Sequence, residues 1–328
     1  MSLPPAFCRG QGHRNPVRYA TYDSRSRIYL SLDSKCFKMW RVGHELATLD
    51  FSGMHDSYIS TVIFVPEHSV FLCAALDNTL KVFDQPRKSR VRFLPILASL
   101  AWDQSAVTAM AFNGDLDELI TAGATGISVW RCEYYEGSAE EHAEAKGGRG
   151  PTGPRPRLAS PWRFGRGVAL RRRLALDVRL PNGRHAASAS APQWVSFIEL
   201  QQSTQRLFAS TAGYIFGYDL ATGARLYSWD NLHSQPVTCM LYLPELRYVV
   251  TGSSDCTAKI WLLRPGGKLE VQQTVSSPHT KAIIAVKEYV AGAALLTASA
   301  DGAVMLWSLG TFEPLQRMKV GRRTWGGG

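Results

Sequence analysis

The feature of this 328-residue sequence that most constrains its fold is a unit that recurs. Five segments share one shape: small or polar residues, a turn, alternating apolar residues, then an aromatic. They read LSLDSKCFKMW to Trp40, CAALDNTLKVF to Phe83, ITAGATGISVW to Trp130, TGSSDCTAKIW to Trp261 and TASADGAVMLW to Trp307. A weaker sixth is ASTAGYIFGYD, with Tyr218 in the aromatic place. The intervals from Trp40 to Phe83, Phe83 to Trp130, Tyr218 to Trp261 and Trp261 to Trp307 are 43, 47, 43 and 46 residues. A period of that size belongs to folds in which each repeat is one supersecondary unit that buries its faces against its neighbours. The step from Trp130 to Tyr218, 88 residues, is about one repeat too long.

Within a unit the apolar residues alternate with period two between turn-forming residues. In the fifth unit Val237-Thr238-Cys239-Met240-Leu241-Tyr242 is followed by Pro244-Glu245 and then Tyr248-Val249-Val250. That pattern reads as antiparallel hairpins. No stretch carries an amphipathic helical period, so the expectation is an all-β chain.

A second regularity is a fixed spacing of four polar or aromatic residues. His233, Thr251, Asp255 and Trp261 are separated by 18, 4 and 6 residues, and His279, Thr297, Asp301 and Trp307 repeat those gaps. His55, Cys73, Asp77 and Phe83 repeat them again, with the hydroxyl and the indole lost. This combination resembles the WD40-repeat family over roughly residues 12–132 and 192–318. The resemblance implies a WD40 β-propeller with six detectable four-stranded blades, at about 12–52, 54–100, 103–180, 192–231, 233–275 and 279–320. Residues 1–11 then form an N-terminal extension and 321–328 a tail.

In that family the four residues form a hydrogen-bonded tetrad. His233, Thr251, Asp255 and Trp261 would be one, His279, Thr297, Asp301 and Trp307 another, and His55, Asp77 and Phe83 a partial one. Blades one, three and four depart from the pattern. In blade one Asp33 and Ser34 share the turn, in blade three the turn is a residue shorter and Asp103 stands about where the His would be, and blade four has neither His nor Asp. Closed rings of the family most often have seven blades, within a range of about four to eight. Here the first repeat begins almost at once and blade six supplies its own fourth strand near 312–320. Ring closure is therefore open, and the chain is expected to be an isoform or fragment of a large multi-propeller WD-repeat protein of the ciliary type.

A buried imidazole, hydroxyl and carboxylate cost free energy unless each finds a partner, and a linked chain of them satisfies all three. The same residue types could compose a hydrolase triad. An enzyme needs one such site, whereas this set recurs from blade to blade, and no GxSxG, P-loop or HExxH motif accompanies it. The expectation is a non-enzyme that uses no cofactor. The six cysteines, at 8, 36, 73, 132, 239 and 256, fall at no metal-ligand spacing and read as reduced thiols, so no metal site is expected. No apolar run reaches the roughly 18 residues of a membrane helix and no signal peptide opens the chain. A cytoplasmic or ciliary (flagellar) setting is expected.

The formal net charge of +10 is local. Residues 146–184 hold eleven Lys/Arg and one acid, Asp177, and the rest of the chain sums to zero. Residues 133–167 read as a disordered insertion within blade three, Glu-rich at first and then rich in Gly, Pro and Arg, with a fourth strand resuming at 168–180. Arg155, Arg157, Arg163, Arg166, Arg171, Arg172 and Arg173 could engage an acidic partner. Nucleic acid is disfavoured, because only Trp162 and Phe164 interleave with the arginines. Trp40, Trp130, Trp261 and Trp307 keep step with their strands and read as core. Trp102, Trp194, Trp229 and Trp325 fall at blade edges or outside the pattern and are interface candidates.

These features favour a protein–protein interaction scaffold. The alternative is a basic-loop module that binds an anionic polymer, a microtubule surface or nucleic acid, with the propeller as its mount. Partner capture that survives loss of residues 133–184 would favour the scaffold.

Overall fold

The computed structural model describes residues 19–23, 28–33, 36–41, 49–52, 57–65, 70–84, 96–101, 106–124, 126–134, 162–164, 168–178, 194–211, 213–275 and 279–319. They divide into two compact units, Met1–Asp177 and Val178–Gly328. Among the described residues the regular structure is strand throughout, apart from one 3-10 turn at Gln202–Thr204.

The first unit holds three antiparallel sheets. Its first sheet is β1 (Tyr19–Asp23), β2 (Ile28–Leu32), β3 (Cys36–Arg41) and β4 (Leu49–Ser52), each paired with the next. The second is β5 (Ile59–Val65), β6 (Val70–Ala75), β7 (Thr79–Asp84) and β8 (Ile96–Ala101). The third starts with β9 (Val107–Asn113), β10 (Glu118–Gly123) and β11 (Gly126–Tyr134). It continues out of order, because β12 (Trp162–Phe164) lies outside β13 (Val168–Leu176) and the order is β12-β13-β11-β10-β9.

That fifth strand, and the growth of β11 through Glu133 and Tyr134, correct the expectation of an insertion unstructured over all of 133–167. Tyr134 pairs with Val168 and Phe164 pairs with Val168 from the other side, so both ends of the insertion are held by the same strand.

The second unit holds three four-stranded sheets. They are β14 (Val195–Gln201), β15 (Arg206–Thr211), β16 (Tyr214–Asp219) and β17 (Arg225–Asp230); β18 (Val237–Leu243), β19 (Tyr248–Ser253), β20 (Ala258–Leu263) and β21 (Leu269–Val275); and β22 (Ile283–Val290), β23 (Ala294–Ser299), β24 (Ala303–Ser308) and β25 (Pro314–Lys319).

In the first unit β6 and β10 are buried on both faces, as in Val70–Ala75, and in the second unit the outermost strand is wet, as in Pro314–Lys319. Buried apolar runs occur where a sheet has neighbours on both sides. Here Leu72, Val82, Met110, Leu119 and Trp130 fill the space between the second and third sheets. Val250, Ile260, Ile283, Leu295 and Trp307 do so between the last two. Gly252 marks how close that approach is, since a Cβ there would sit 2.6 Å from Ile283 Cγ2 and 2.7 Å from Cys239 Sγ.

Candidate functional site

Two polar networks define the loop end of the second unit. In the sheet β18–β21, Trp261 Nε1 donates to Thr251 Oγ1 at 2.8 Å. The Thr251 hydroxyl, itself 2.8 Å from His233 Nε2, therefore has its own proton left for that nitrogen. This fixes the neutral imidazole with its proton on Nδ1, which faces Asp255 Oδ2 at 3.0 Å. Thr257 completes the set, donating to Asp255 Oδ1 through its hydroxyl at 2.6 Å and its backbone N–H at 2.9 Å. The chain runs one way, indole to hydroxyl to imidazole to carboxylate, so each bond polarises the next.

In the sheet β22–β25, Trp307 Nε1 donates to Thr297 Oγ1 at 2.9 Å and His279 Nε2 meets the same oxygen at 2.9 Å. Asp301 accepts from the backbone N–H of Thr280 and of Ala303 at 2.9 and 2.8 Å. His279 Nδ1, however, stands 3.5 Å from Asp301 Oδ2 and makes no hydrogen bond. The residue equivalent to Thr257 is Ala303, so the hydroxyl that tightens the other network is missing here.

The charges follow from this geometry. Burial pushes the His233 and His279 imidazoles below the usual 6.5, partly offset by Asp255 and Asp301. Burial alone would raise Asp255, but the Thr257 and His233 hydrogen bonds outweigh it and bring the carboxyl to about 2. Asp301 reaches about 2 by the same contest, against the Thr280 and Ala303 N–H groups. A neutral, desolvated imidazole locked between a hydroxyl and a carboxylate ties the loop before a sheet to the turn within it.

Sequence reading missed a third pair. Trp130 Nε1 donates to Thr121 Oγ1 at 2.9 Å in the sheet that carries the insertion. The separation is nine residues instead of ten because the intervening turn is one residue shorter, which hid the pair from a fixed-gap search. Asp77 accepts from the Thr79 N–H at 2.9 Å, and Asp33 accepts from the Cys36 N–H at 2.9 Å. His55 lies outside the described residues, and of Phe83 and Trp40 only the backbone, in β7 and β3, is described.

A second missed set sits on the first strand of five of the six sheets. β5, β9, β14, β18 and β22 each carry a register shift that leaves one residue bulged: Ser60, Thr108, Ser196, Thr238 and Ile284. The four hydroxyls donate to the second strand, at Ala74 O (3.0 Å), Ala122 O (3.2 Å), Ser210 O (3.1 Å) and Gly252 O (3.1 Å). Ser60 and Thr238 also reach the first strand of the next sheet, at the carbonyls of Val107 and Ile283. The signal was legible as a Val or Ile followed by Ser or Thr at each strand start. Ile284 breaks the pattern and is 58% exposed.

The candidate partner residues separate clearly. Trp229 is corrected from interface to core: it is 7% exposed, stacks on Tyr227 and Phe208 at 5.0 and 5.8 Å, and donates to Gly267 O at 2.7 Å. Trp194 is 43% exposed. Arg173 is also corrected, because it grips Glu118 and is not turned to solvent. Arg171 and Arg172 are exposed, the latter 5.9 Å from the centre of the Trp130 ring. Arg163 is described only as backbone in β12, and Trp102, Arg155, Arg157, Arg166 and Trp325 lie outside the described residues.

The cysteine thiols are poor nucleophiles where a shift is evident. Burial pushes Cys73 and Cys132 up, and raises Cys239 to about 11.

A family model of the WD domain, G-beta repeat, matches residues 43–84 and 223–261. The first range contains the partial set ending at Phe83, the second the full network ending at Trp261. The chain carries WD40 repeats. The matched ranges run from β4 to β7 and from β17 to β20, and among the described residues the six sheets, five four-stranded and one five-stranded, are consistent with blades of that repeat. Over 118 residues the chain is 24% identical to apoptotic protease-activating factor 1 of Mus musculus and 23% identical to that of Rattus norvegicus. The match takes in 35% of this chain and spans 9% of the length of each relative. WD40 domains generally bind other proteins and are typically non-enzymatic.

Among the described residues no helix is long and apolar enough to cross a membrane.

Proposed function

We propose that the chain is a non-catalytic protein–protein interaction scaffold. The observation that carries this reading is the recurrence of the Trp–Thr–His network, with its groups spent on each other. In blade five the indole, hydroxyl, imidazole and carboxylate all bond within the set, and the acid is held charged at about 2 while the imidazole is held neutral. A histidine so committed cannot shuttle a substrate proton, but it does hold a loop rigid, and rigid loops on a sheet framework are what partners recognise. Trp194, exposed at the start of blade four, is the aromatic anchor best placed to meet such a partner. A cytoplasmic or ciliary setting fits thiols such as Cys73, Cys132 and Cys239, which among the described residues form no disulfide.

The experiment is affinity purification of the full chain beside a variant lacking residues 135–161. The deletion stops there because β13, within 133–184, is a blade strand whose loss would strip blade three. Partners retained by the variant, and lost on Trp194→Ala, support the scaffold. Partners lost with residues 135–161 alone, or capture of only an anionic polymer, would favour the basic-loop alternative.

A further inference from the structure

Blade six repeats, on its far side, the face that blade five presents to it. Residues paired across strands share a face. In blade five one such row is Cys239, Gly252, Ala258 and Val275, and the next holds Val250 and Ile260. Ile283, Val286, Leu295, Met305 and Trp307 of blade six pack against it. Val250, Ala258, Ile260 and Val275 are thereby left no more than 5% exposed.

The matching rows of blade six are Ala285, Ala298, Val304 and Met318, then Leu296 and Leu306. Every position is again apolar, and Ala285 and Ala298 keep the row small where Gly252 and Cys239 admit Ile283 in blade five. A sheet face meant for water carries polar residues at these positions. Yet none of the six is buried: five are partly exposed, and Met318 is 40% exposed. Lys287 takes the place of Leu241, but its ammonium lies 3.9 Å from the Glu199 carboxylate of blade four, turned away from the apolar rows.

The tie between consecutive blades is also missing. Ser60 and Thr238 each reach a carbonyl on the first strand of the next sheet. Their equivalent in blade six is Ile284, which has no hydroxyl and is exposed. A sheet laid on this face is held by apolar contact alone, which suits an occupant that arrives separately, and the flexible Met318 thioether adapts to it.

Building on the scaffold reading, we propose that the outward face of blade six takes up an antiparallel sheet contributed by another polypeptide. The covering face carries large apolar residues in the places of Ile283, Leu295, Met305 and Trp307, and the stacking of blade six on blade five continues into the partner at about 10 Å between sheets.

The test is photo-crosslinking of the full chain in cells that express it, with a benzophenone side chain at position 318 and the adducts sequenced. Adducts are expected in a strand of alternating apolar residues from a different polypeptide. Leu306→Glu is expected to lower their yield about tenfold, because it brings a carboxylate into the apolar contact. Val271→Glu, at an exposed position on the outer strand of blade five, should leave the yield unchanged. If Leu306→Glu fails to fold, Gln316→Glu, on the same row at an exposed position, replaces it. Adducts only within this chain or to a second copy of it, no adduct, or a yield indifferent to the carboxylate would each overturn the proposal. Capture of partners through Trp194 does not depend on position 306, so the scaffold reading stands or falls separately.

Discussion

Arg173 is ion-paired with the buried Glu118: Nη2 donates to Oε2 at 2.7 Å, and Nε lies 2.6 Å from Oε1 without hydrogen-bond geometry. The carboxylate is fully buried, and the bulge in β13 opposite Val129 and Trp130 leaves Arg173 out of register and free to turn toward it. Arg131 reaches the same acid less closely, at 3.3 Å.

Removing one partner of such a pair strands a buried charge. Arg173→Ala is expected to cost about 3–5 kcal/mol, whereas Arg172→Ala, at an exposed position, should stay within roughly 0.5–1 kcal/mol. Chemical denaturation of the two variants reads the difference, and equal midpoints would show that Arg131 substitutes fully for Arg173.

The two complete spacings are identical, yet their networks are unequal. Thr251→Val leaves Trp261 Nε1 and His233 Nε2 without their shared oxygen and should cost about 1–3 kcal/mol. Ala303→Thr supplies blade six with the hydroxyl that Thr257 gives blade five, and should stabilise by about 0.5–1 kcal/mol. A melt of each variant decides both, and a lower midpoint for Ala303→Thr would mean that the His279 loop cannot close on Asp301.

Close packing between blades five and six gives a third expectation. Thr238→Val removes the hydroxyl that joins Gly252 O and Ile283 O, at about 1 kcal/mol. Gly252→Ala puts a methyl onto Ile283 and Cys239 and should cost about 1–3 kcal/mol by overpacking. Ile284→Thr, at the equivalent but exposed bulge, should leave the denaturation midpoint unchanged.

Acid should loosen the second unit in two stages. His233 and His279 titrate below 6.5 when folded, so as pH falls past 6.5 the unfolded chain takes up protons that the folded chain refuses. Stability present above 6.5 is therefore lost toward the lower folded values. Asp255 and Asp301 add a contribution present above 3.8 and lost as pH falls to about 2. Lys259 and Arg317 sit near the two imidazoles and act with burial in disfavouring their charged form. Thermal melts are expected to fall from pH 7.5 to pH 5, and the double variant His233→Gln, His279→Gln should flatten that first stage. An unchanged slope in the variant would place the sensitivity elsewhere.

The repeat, the all-strand composition and the spacing that ends at Trp261 and Trp307 were legible because they depend on local order: alternation, turn residues and fixed gaps along one chain. The Thr121–Trp130 pair escaped because a single missing turn residue shifts the gap while leaving the three-dimensional contact intact. The hydroxyls at Ser60, Thr108, Ser196 and Thr238 were legible in principle, since they follow a β-branched residue at each strand start. What they bond, a carbonyl on the adjacent strand or one blade away, was not.

The sequence by itself determined that the chain builds repeated antiparallel sheets, and which aromatic residues keep step with them. Only the tertiary structure decided which charges and aromatics are spent inside. Trp229 reads as an edge residue until Tyr227, Phe208 and the Gly267 carbonyl close over it, and Arg173 reads as one of three like arginines until a bulge turns it onto Glu118. Burial of a particular side chain is set by segments far apart in the chain, here 38 residues for Trp229 and 55 for Arg173, and no local pattern encodes it.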